Sequence, residues 1–239
     1  MAIPVEWIET VHAWRSDPAR ASGPIGLVDL AREAHTLSSA LLMRLEPLTA
    51  AQGPVSCSKG CGACCREVIP LSPPEVLLLS ETHARLEWSR RAEVEERFVR
   101  NSSALAAAGL GEASLLDRAG DAFALGLPCP YLEDEACGIH PERPLVCREH
   151  LALSPSAWCG GFPDSFIRVL EMPVSVGQAL SEIAWDLMGY REHIPIVRVR
   201  EWLEANRHWA DRRWEAGPLL DRLATLCPTG HALVQAAAK

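Results

Sequence analysis

Eight cysteines fall in two dense blocks, and thiols crowded in this way point first to metal binding. The first block, CSKGCGACC over residues 57–65, holds Cys57, Cys61, Cys64 and Cys65; the second holds Cys129, Cys137, Cys147 and Cys159. Thiolates packed together repel one another, and a cation among them offsets that repulsion. Cys61-Gly-Ala-Cys64 has the two-residue spacing at which a tight turn brings two sulfurs to one ion, and Gly60 and Gly62 let the backbone bend there. Cys64 and Cys65 are adjacent, and neighbouring side chains of extended backbone point to opposite faces. The pair therefore predicts two metal positions, or one polynuclear centre, on either side of the step. The eight candidate ligands split into two sets of four, with the division left open by the spacing. A disulfide between the adjacent pair would be strained and out of place in a reducing compartment.

The residues around these thiols are read by charge and position. Cys227, the ninth cysteine, ends the apolar stretch DRLATLC and reads as a small buried hydrophobe. His140 and His150 flank Cys137 and Cys147; with eight thiols available they read as neighbours of the ligands or surface groups, while a ligand role stays open. The other histidines show no ligand spacing. Lys59, Arg66, Arg143 and Arg148 lie beside candidate ligands, and guanidinium donors to sulfur or nearby carbonyls would offset the negative charge of a four-thiolate site. Arg143 and Arg148 are the candidate cofactor-contacting pair. The equal alternative is that they cap loops or pair with Glu133, Asp134 or Glu149.

The elements that must position these groups are mainly helical. Leu27, Leu30, Ala31, Ala34, Leu41 and Leu45 follow helical spacing and predict a helix over 27–47, broken by Gly53-Pro54. Residues 67–71 read as a short extended piece. Ser72-Pro73-Pro74-Glu75 has the form of a capping box opening a long helix that runs to 90–100. Glu93/Arg97 and Glu96/Arg100 read as a solvated face of it. LLDRAGDAFAL predicts a short helical stretch, and CPYL is expected to pair with CGIH across EDEA as a small hairpin in an otherwise turn-dense second block. From about 174 helical periodicity returns, with Trp202, Trp209, Leu219, Leu220, Leu223 and Leu226 as core positions. The expected fold class is mainly α: helices around a two-part, cysteine-rich, loop-dominated metal centre with at most a small β-hairpin. The chain is expected to be a single domain over 1–239, with 57–160 as its metal-binding core and helical flanks over 1–56 and 161–239.

Composition narrows the function further. A chain of 239 residues with 48% hydrophobic content can bury a core without crosslinks. The 31 acidic and 23 basic residues give a net charge of -8, with no basic run, which argues against a nucleic-acid or anionic-membrane surface. The first residues lack a basic leader, and no stretch approaches eighteen apolar residues, so the expectation is a cytoplasmic protein without a membrane span. Nine cysteines in that setting are not a disulfide framework.

The combined pattern resembles a known family. Cys57-x3-Cys61-x2-Cys64-Cys65, then Cys129-Pro130-Tyr131-Leu132, then Cys137-x-Ile139-x3-Arg143-Pro144-x2-Cys147-Arg148 is similar to the YkgJ-type cysteine-cluster family, described as a zinc- or iron-chelating domain. The resemblance covers about residues 57–160 and implies metal binding by the cysteines; it implies little about a reaction. His140 stands where the family usually shows tyrosine. Between metals, staggered cysteine runs and the Cys129-Pro130 step favour an iron–sulfur cluster or iron, with zinc as the alternative, since only one two-residue knuckle is present. Radical-SAM chemistry, which shares the Cys57-x3-Cys61-x2-Cys64 spacing, needs repeated strand–helix units that this chain lacks.

Three kinds of function are compatible with these residues: a metal-binding module, an iron-dependent oxidoreductase or protein-modifying enzyme, and an interaction protein whose loops are stapled by zinc. Metal ions are the expected partners, while the protein partner or substrate is not legible in the chain.

Overall fold

The computed structural model describes residues 3–20, 22–58, 60–111, 115–159 and 167–227. Lys59 and His231 lie outside these, as does the end of the expected metal-binding core at residue 160. Ten α-helices are seen in the described residues: α1 (Val5–Ser16), α2 (Leu27–Leu42), α3 (Glu46–Gln52), α4 (Pro73–Ala84), α5 (Trp88–Ala107), α6 (Ala119–Ala124), α7 (Leu145–Glu149), α8 (Val176–Met188), α9 (Val199–Asn206) and α10 (Ala216–Leu226). Among the described residues strands come only as two-residue antiparallel pairs: β1 (Pro24–Ile25) with β6 (Trp214–Glu215), β2 (Pro70–Leu71) with β5 (Ile194–Pro195), and β3 (Leu132–Glu133) with β4 (Ala136–Cys137). The fold is mainly α with small hairpin-like pairs. None of the described helices is long and apolar enough to cross a membrane.

Helix α2 organises the interior because its apolar stripe recurs every three to four residues. Leu30, Ala31, Ala34, Leu37 and Leu41 are buried against Trp7, Val11 and Trp14 of α1, Leu180 and Ile183 of α8, and Leu220 and Leu223 of α10. Cys227 sits fully buried in this cluster, at the end of α10. A second cluster is built around α4, α5 and α9, with Leu71, Val76, Phe98, Ile194, Val199 and Trp202, and it incorporates Cys129, Tyr131 and Ile139 of the second cysteine block. Trp209, expected beside Trp202 in the core, is half-buried at its edge.

The helix expected over 27–47 instead ends at Leu42, and α3 starts anew at Glu46. Pro47 is the cause. It lacks the amide hydrogen that would bond to Met43, and its ring would clash with that carbonyl, but it suits the first turn of a new helix. The extended piece expected over 67–71 narrows to Pro70–Leu71, which pairs with Ile194–Pro195. The long helix expected from Ser72 divides into α4 and α5 at Arg85–Glu87. Nothing in the local sequence forbids a continuous helix there. The bend aims α5 at the second cysteine block, so its charged face is not simply solvated. Arg97 keeps its Glu93 partner at 3.4 Å but also donates to the carbonyls of Pro130 (3.1 Å) and Leu132 (3.4 Å). Arg90 pairs with Glu133 at 3.0 Å, and Asn101 donates to the Pro128 carbonyl at 2.7 Å.

The capping box opening α4 extends into the metal region. Glu75 Oε2 accepts the Ser72 amide at 3.1 Å and the Ser72 hydroxyl at 2.8 Å, while its Oε1 accepts the Leu145 amide, the first of α7, at 2.7 Å. One buried carboxylate thus ties α4 to the helix that carries Cys147. Replacing Glu75 with alanine leaves two buried amides without acceptors. The expected loss is about 2–4 kcal/mol, seen as a lower urea midpoint, with Glu75→Gln costing less because one oxygen remains.

Candidate metal centre

The first cysteine block is a tight turn. The Cys61 amide donates to the Ser58 carbonyl (3.1 Å) and the Cys65 amide to Gly62 (3.1 Å), so Ala63–Arg66 forms a single 3-10 turn. Gly60, at φ 88°, supplies the left-handed step. Gly62 is needed for a different reason: a Cβ there would lie 2.7 Å from Leu132 Cδ1 and 2.9 Å from the Glu135 carbonyl oxygen. The first block packs directly on the hairpin of the second. Arg66 locks the contact by donating to the Gly62 carbonyl (3.1 Å) and to the Glu135 carboxylate (2.6 Å).

That hairpin is tighter than expected. Leu132 faces Cys137 and Glu133 faces Ala136, and the turn is only Asp134-Glu135, with φ of 47° and 58°. Two successive positive φ angles are the signature of the two-residue turn that matches strand twist. The Cys129 amide donates to the Cys65 carbonyl at 2.6 Å, a direct backbone link between the two blocks. At the other end, the Ala152 amide donates to Cys57 Sγ at 3.3 Å, and Ser56 bonds to the Ala152 and Ser154 carbonyls.

These links bring seven of the eight candidate ligands to one cavity of about 480 Å³: Cys57, Cys61, Cys64, Cys65, Cys129, Cys137 and Cys147. Cys159, buried at the end of its own short turn, lies within electrostatic reach of Cys57, Cys61 and Cys64. Residues 56–162 match the family model described as "CxxCxxCC: Putative zinc- or iron-chelating domain". Over that segment, somewhat less than half of its length, the chain is similar to the CxxCxxCC family. No curated protein and no solved structure matches the chain.

Within the CxxCxxCC segment the thiols fall into two neighbourhoods. Burial raises the Cys159 thiol, and so do Cys57, Cys61 and Cys64 beside it. Burial likewise pushes Cys129 up to about 12 and Cys147 well above the usual thiol range; Cys137 and Cys64 add to both, and Cys129 adds to Cys147. Cys64 stands between the groups: Cys65 donates a hydrogen bond to it, which lowers Cys64 to about 6 and raises Cys65. The adjacent pair, expected to face apart, touch one another because the turn around them is helical rather than extended. No group of three or more described His, Cys, Asp or Glu side chains is gathered tightly enough to hold an ion as the side chains stand.

The two arginines expected to contact the cofactor have different surroundings. Arg143 borders the cavity, with Nε on the Cys147 carbonyl (3.3 Å) and Nη1 against the His140 ring (3.0 Å to Nδ1). Arg148 is buried behind it, where it donates to the Arg143 and Pro141 carbonyls and to Ser39 Oγ of α2 (2.9 Å). It does not border the cavity. Two of the three carboxylates considered as partners for these arginines are used elsewhere: Glu133 pairs with Arg90 and Arg97, and Glu149 accepts the amides of Val176 and Gly177 at the start of α8. His140 and His150 both border the cavity, where they would flank the thiols. Tyr131 and Ile139, both within the motif that carries the resemblance, also line it, as do Ile69, Leu151 and Ile196, which carried no signal in the sequence beyond their hydrophobicity.

Arg148 also affects His35 of α2, whose pKa falls to about 4 through burial first and then through the neighbouring guanidinium, with Glu142 opposing. The unfolded chain takes up this proton near pH 6.5, before the folded chain does. Stability is therefore full above about pH 6.5 and falls as the pH drops towards 4, by at most about 1.4 kcal/mol per unit. Urea midpoints measured across that window are expected to slope less in His35→Gln than in the parent protein.

Proposed function

We propose that the two cysteine blocks form one polynuclear thiolate centre, with Cys57, Cys61, Cys64 and Cys159 holding one position and Cys65, Cys129, Cys137 and Cys147 the other. The observation that carries this reading is the single cavity shared by seven of the eight thiols from sequence-distant blocks. Proximity supports this division: Cys57 and Cys61 neighbour Cys159, Cys129 and Cys137 neighbour Cys147, and Cys64 neighbours thiols of both sets. Cys64 perturbs thiols of both groups and bonds to Cys65, so the two positions adjoin.

The chemistry of the donor set fits a metal, which the described side chains would draw together to hold. The thiols are gathered, partly desolvated and mutually repelling, and a divalent or higher cation would offset both costs while completing the shell that free thiols leave open. When bound, such a centre supplies electron-transfer or Lewis-acid chemistry, or a structural crosslink. Adjoining positions in one cavity support iron, as a cluster or as adjacent ions, over two separate closed zinc shells. The chain's own groups hold the Cys57 sulfur through the Ala152 amide, fix the Cys147 turn through Arg143 and screen the site with Ile69, Ile139 and Ile196. The chain reads as one domain over 1–239, since α2 and α4 of the two core clusters pack on each other.

Metal analysis with a visible absorption spectrum of anaerobically purified protein tests the assignment. Iron with acid-labile sulfide and a brown colour is the expected result. Colourless protein with stoichiometric zinc overturns the choice of metal, and protein that binds neither overturns the centre itself.

A further inference from the structure

The two sets of thiols stand in different surroundings. Cys129 belongs to the second core cluster, and Cys65, Cys137 and Cys147 pack against that cluster, which also holds Ile69, Tyr131 and Ile139. Among the described residues, Cys57, Cys61, Cys64 and Cys159 pack in none of the core clusters. Closeness in sequence does not account for the contrast, because Cys64 and Cys65 are adjacent and fall on opposite sides of it.

Backbone and exposure follow the same division. Cys137 lies on β4 and Cys147 on α7, and the Cys129 amide is bonded to the Cys65 carbonyl at 2.6 Å. Cys57 and Cys61 lie on segments with neither helix nor strand, and Cys159 follows the three-residue turn Ser156–Trp158. Cys57 is exposed, whereas no thiol of the core set is. A ligand from solution displaces a thiolate only where it can reach the metal, and a site opens most readily where few buried apolar contacts have to break. Both conditions are met at Cys57. Freeing a sulfur of the core set would instead open packing that the fold itself depends on.

We propose that the two metal positions exchange at different rates. The position of Cys57, Cys61, Cys64 and Cys159 takes up metal and gives it up to ligands from solution; the position of Cys65, Cys129, Cys137 and Cys147 keeps its metal as part of the folded core. In the exchange the incoming donor atoms replace the sulfurs one at a time, beginning at Cys57, and each freed thiolate takes a proton from water or remains ionised. The inference rests on the division of ligands proposed above, and it assigns the outer position to metal transfer and the inner one to structure.

The test uses full-length protein purified anaerobically with its metal and challenged with EDTA. Samples taken over time are analysed for retained metal and, after a pulse of iodoacetamide, for alkylated cysteines by peptide mass mapping; a pulse in denaturant establishes that every cysteine can report. About half of the metal is expected to leave at least about tenfold faster than the rest, in line with the spread of local opening within one fold. Between the two phases Cys57, Cys61 and Cys159 should carry the label, while Cys129, Cys137 and Cys147 should not. Cys57→Ser is expected to lose the fast half and retain the slow half, and if that variant does not fold the labelling of the parent protein decides. Release in one phase, labelling of both sets together, or labelling of the core set first overturns the inference while leaving metal binding intact. Protein that holds no metal at all overturns the centre, and this inference with it.

Discussion

Replacing Cys61 or Cys147 with serine is expected to lower metal content and solubility together, while Cys227→Ser leaves metal content unchanged. Cys61 and Cys147 border the shared cavity from opposite blocks, and each is assigned to a different metal position. Losing one thiolate of four exceeds the loss of an outer partner, so metal affinity should fall by more than roughly 10–100-fold in either variant. Solubility should follow because the metal ties together loops with little other regular structure: a short turn, a two-residue hairpin and the five-residue α7. Cys227 is fully buried in the other core cluster, among α1, α2 and α10, away from the cavity. Its serine variant should cost stability through a buried hydroxyl, on the order of 1–3 kcal/mol, and nothing in bound metal. Elemental analysis of the three variants after identical purification separates the outcomes, and metal lost from the Cys227 variant alone would sink the ligand assignment.

Gly62→Ala is expected to damage the protein more than Gly60→Ala, although Gly60 is the one with positive φ. Alanine at 60 meets no atom within 4 Å and suffers only the left-handed backbone, which costs about 1–2 kcal/mol. At 62 the new methyl would press on Leu132 and on the Glu135 backbone carbonyl, which has no rotamer by which to move away. Overpacking of this kind costs about 1–3 kcal/mol. The larger effect should be on metal: the hairpin bearing Cys137 is pushed off the turn bearing Cys64 and Cys65, and the Arg66–Glu135 clamp loosens. Release of metal to a chelator should be accelerated at least tenfold in Gly62→Ala and only slightly in Gly60→Ala. Equal release rates in the two variants would show that the packing of turn on hairpin does not govern the site.

Much of this architecture was legible residue by residue. The stripe of α2, the Ser72–Glu75 cap and the buried Cys227 all follow from local rules of spacing, capping and polarity, which act over one or two turns. What local rules missed came from distance. The bend at Arg85–Glu87 has no local cause; it places Arg90, Arg97 and Asn101 against a segment 27 to 43 residues later. For Arg148 the sequence leaves a cofactor contact and a loop cap equally open; its side chain reaches Ser39 and loop carbonyls, contacts that no local rule could name. Glu149, weighed as a partner for an arginine, instead holds the first amides of α8.

By itself the sequence pointed to metal at the two cysteine blocks, because crowded thiols repel one another unless a cation offsets their charge, and the family match over 56–162 agrees. It determined the fold class for a similar reason: apolar residues at helical spacing can be buried only as helices. Only the tertiary structure decided that both blocks open onto one cavity and that Cys64 and Cys65 touch in a helical turn. Those outcomes depend on contacts between groups far apart in the chain. Side-chain charge and spacing within a block carry no information about which distant surface a turn will pack against.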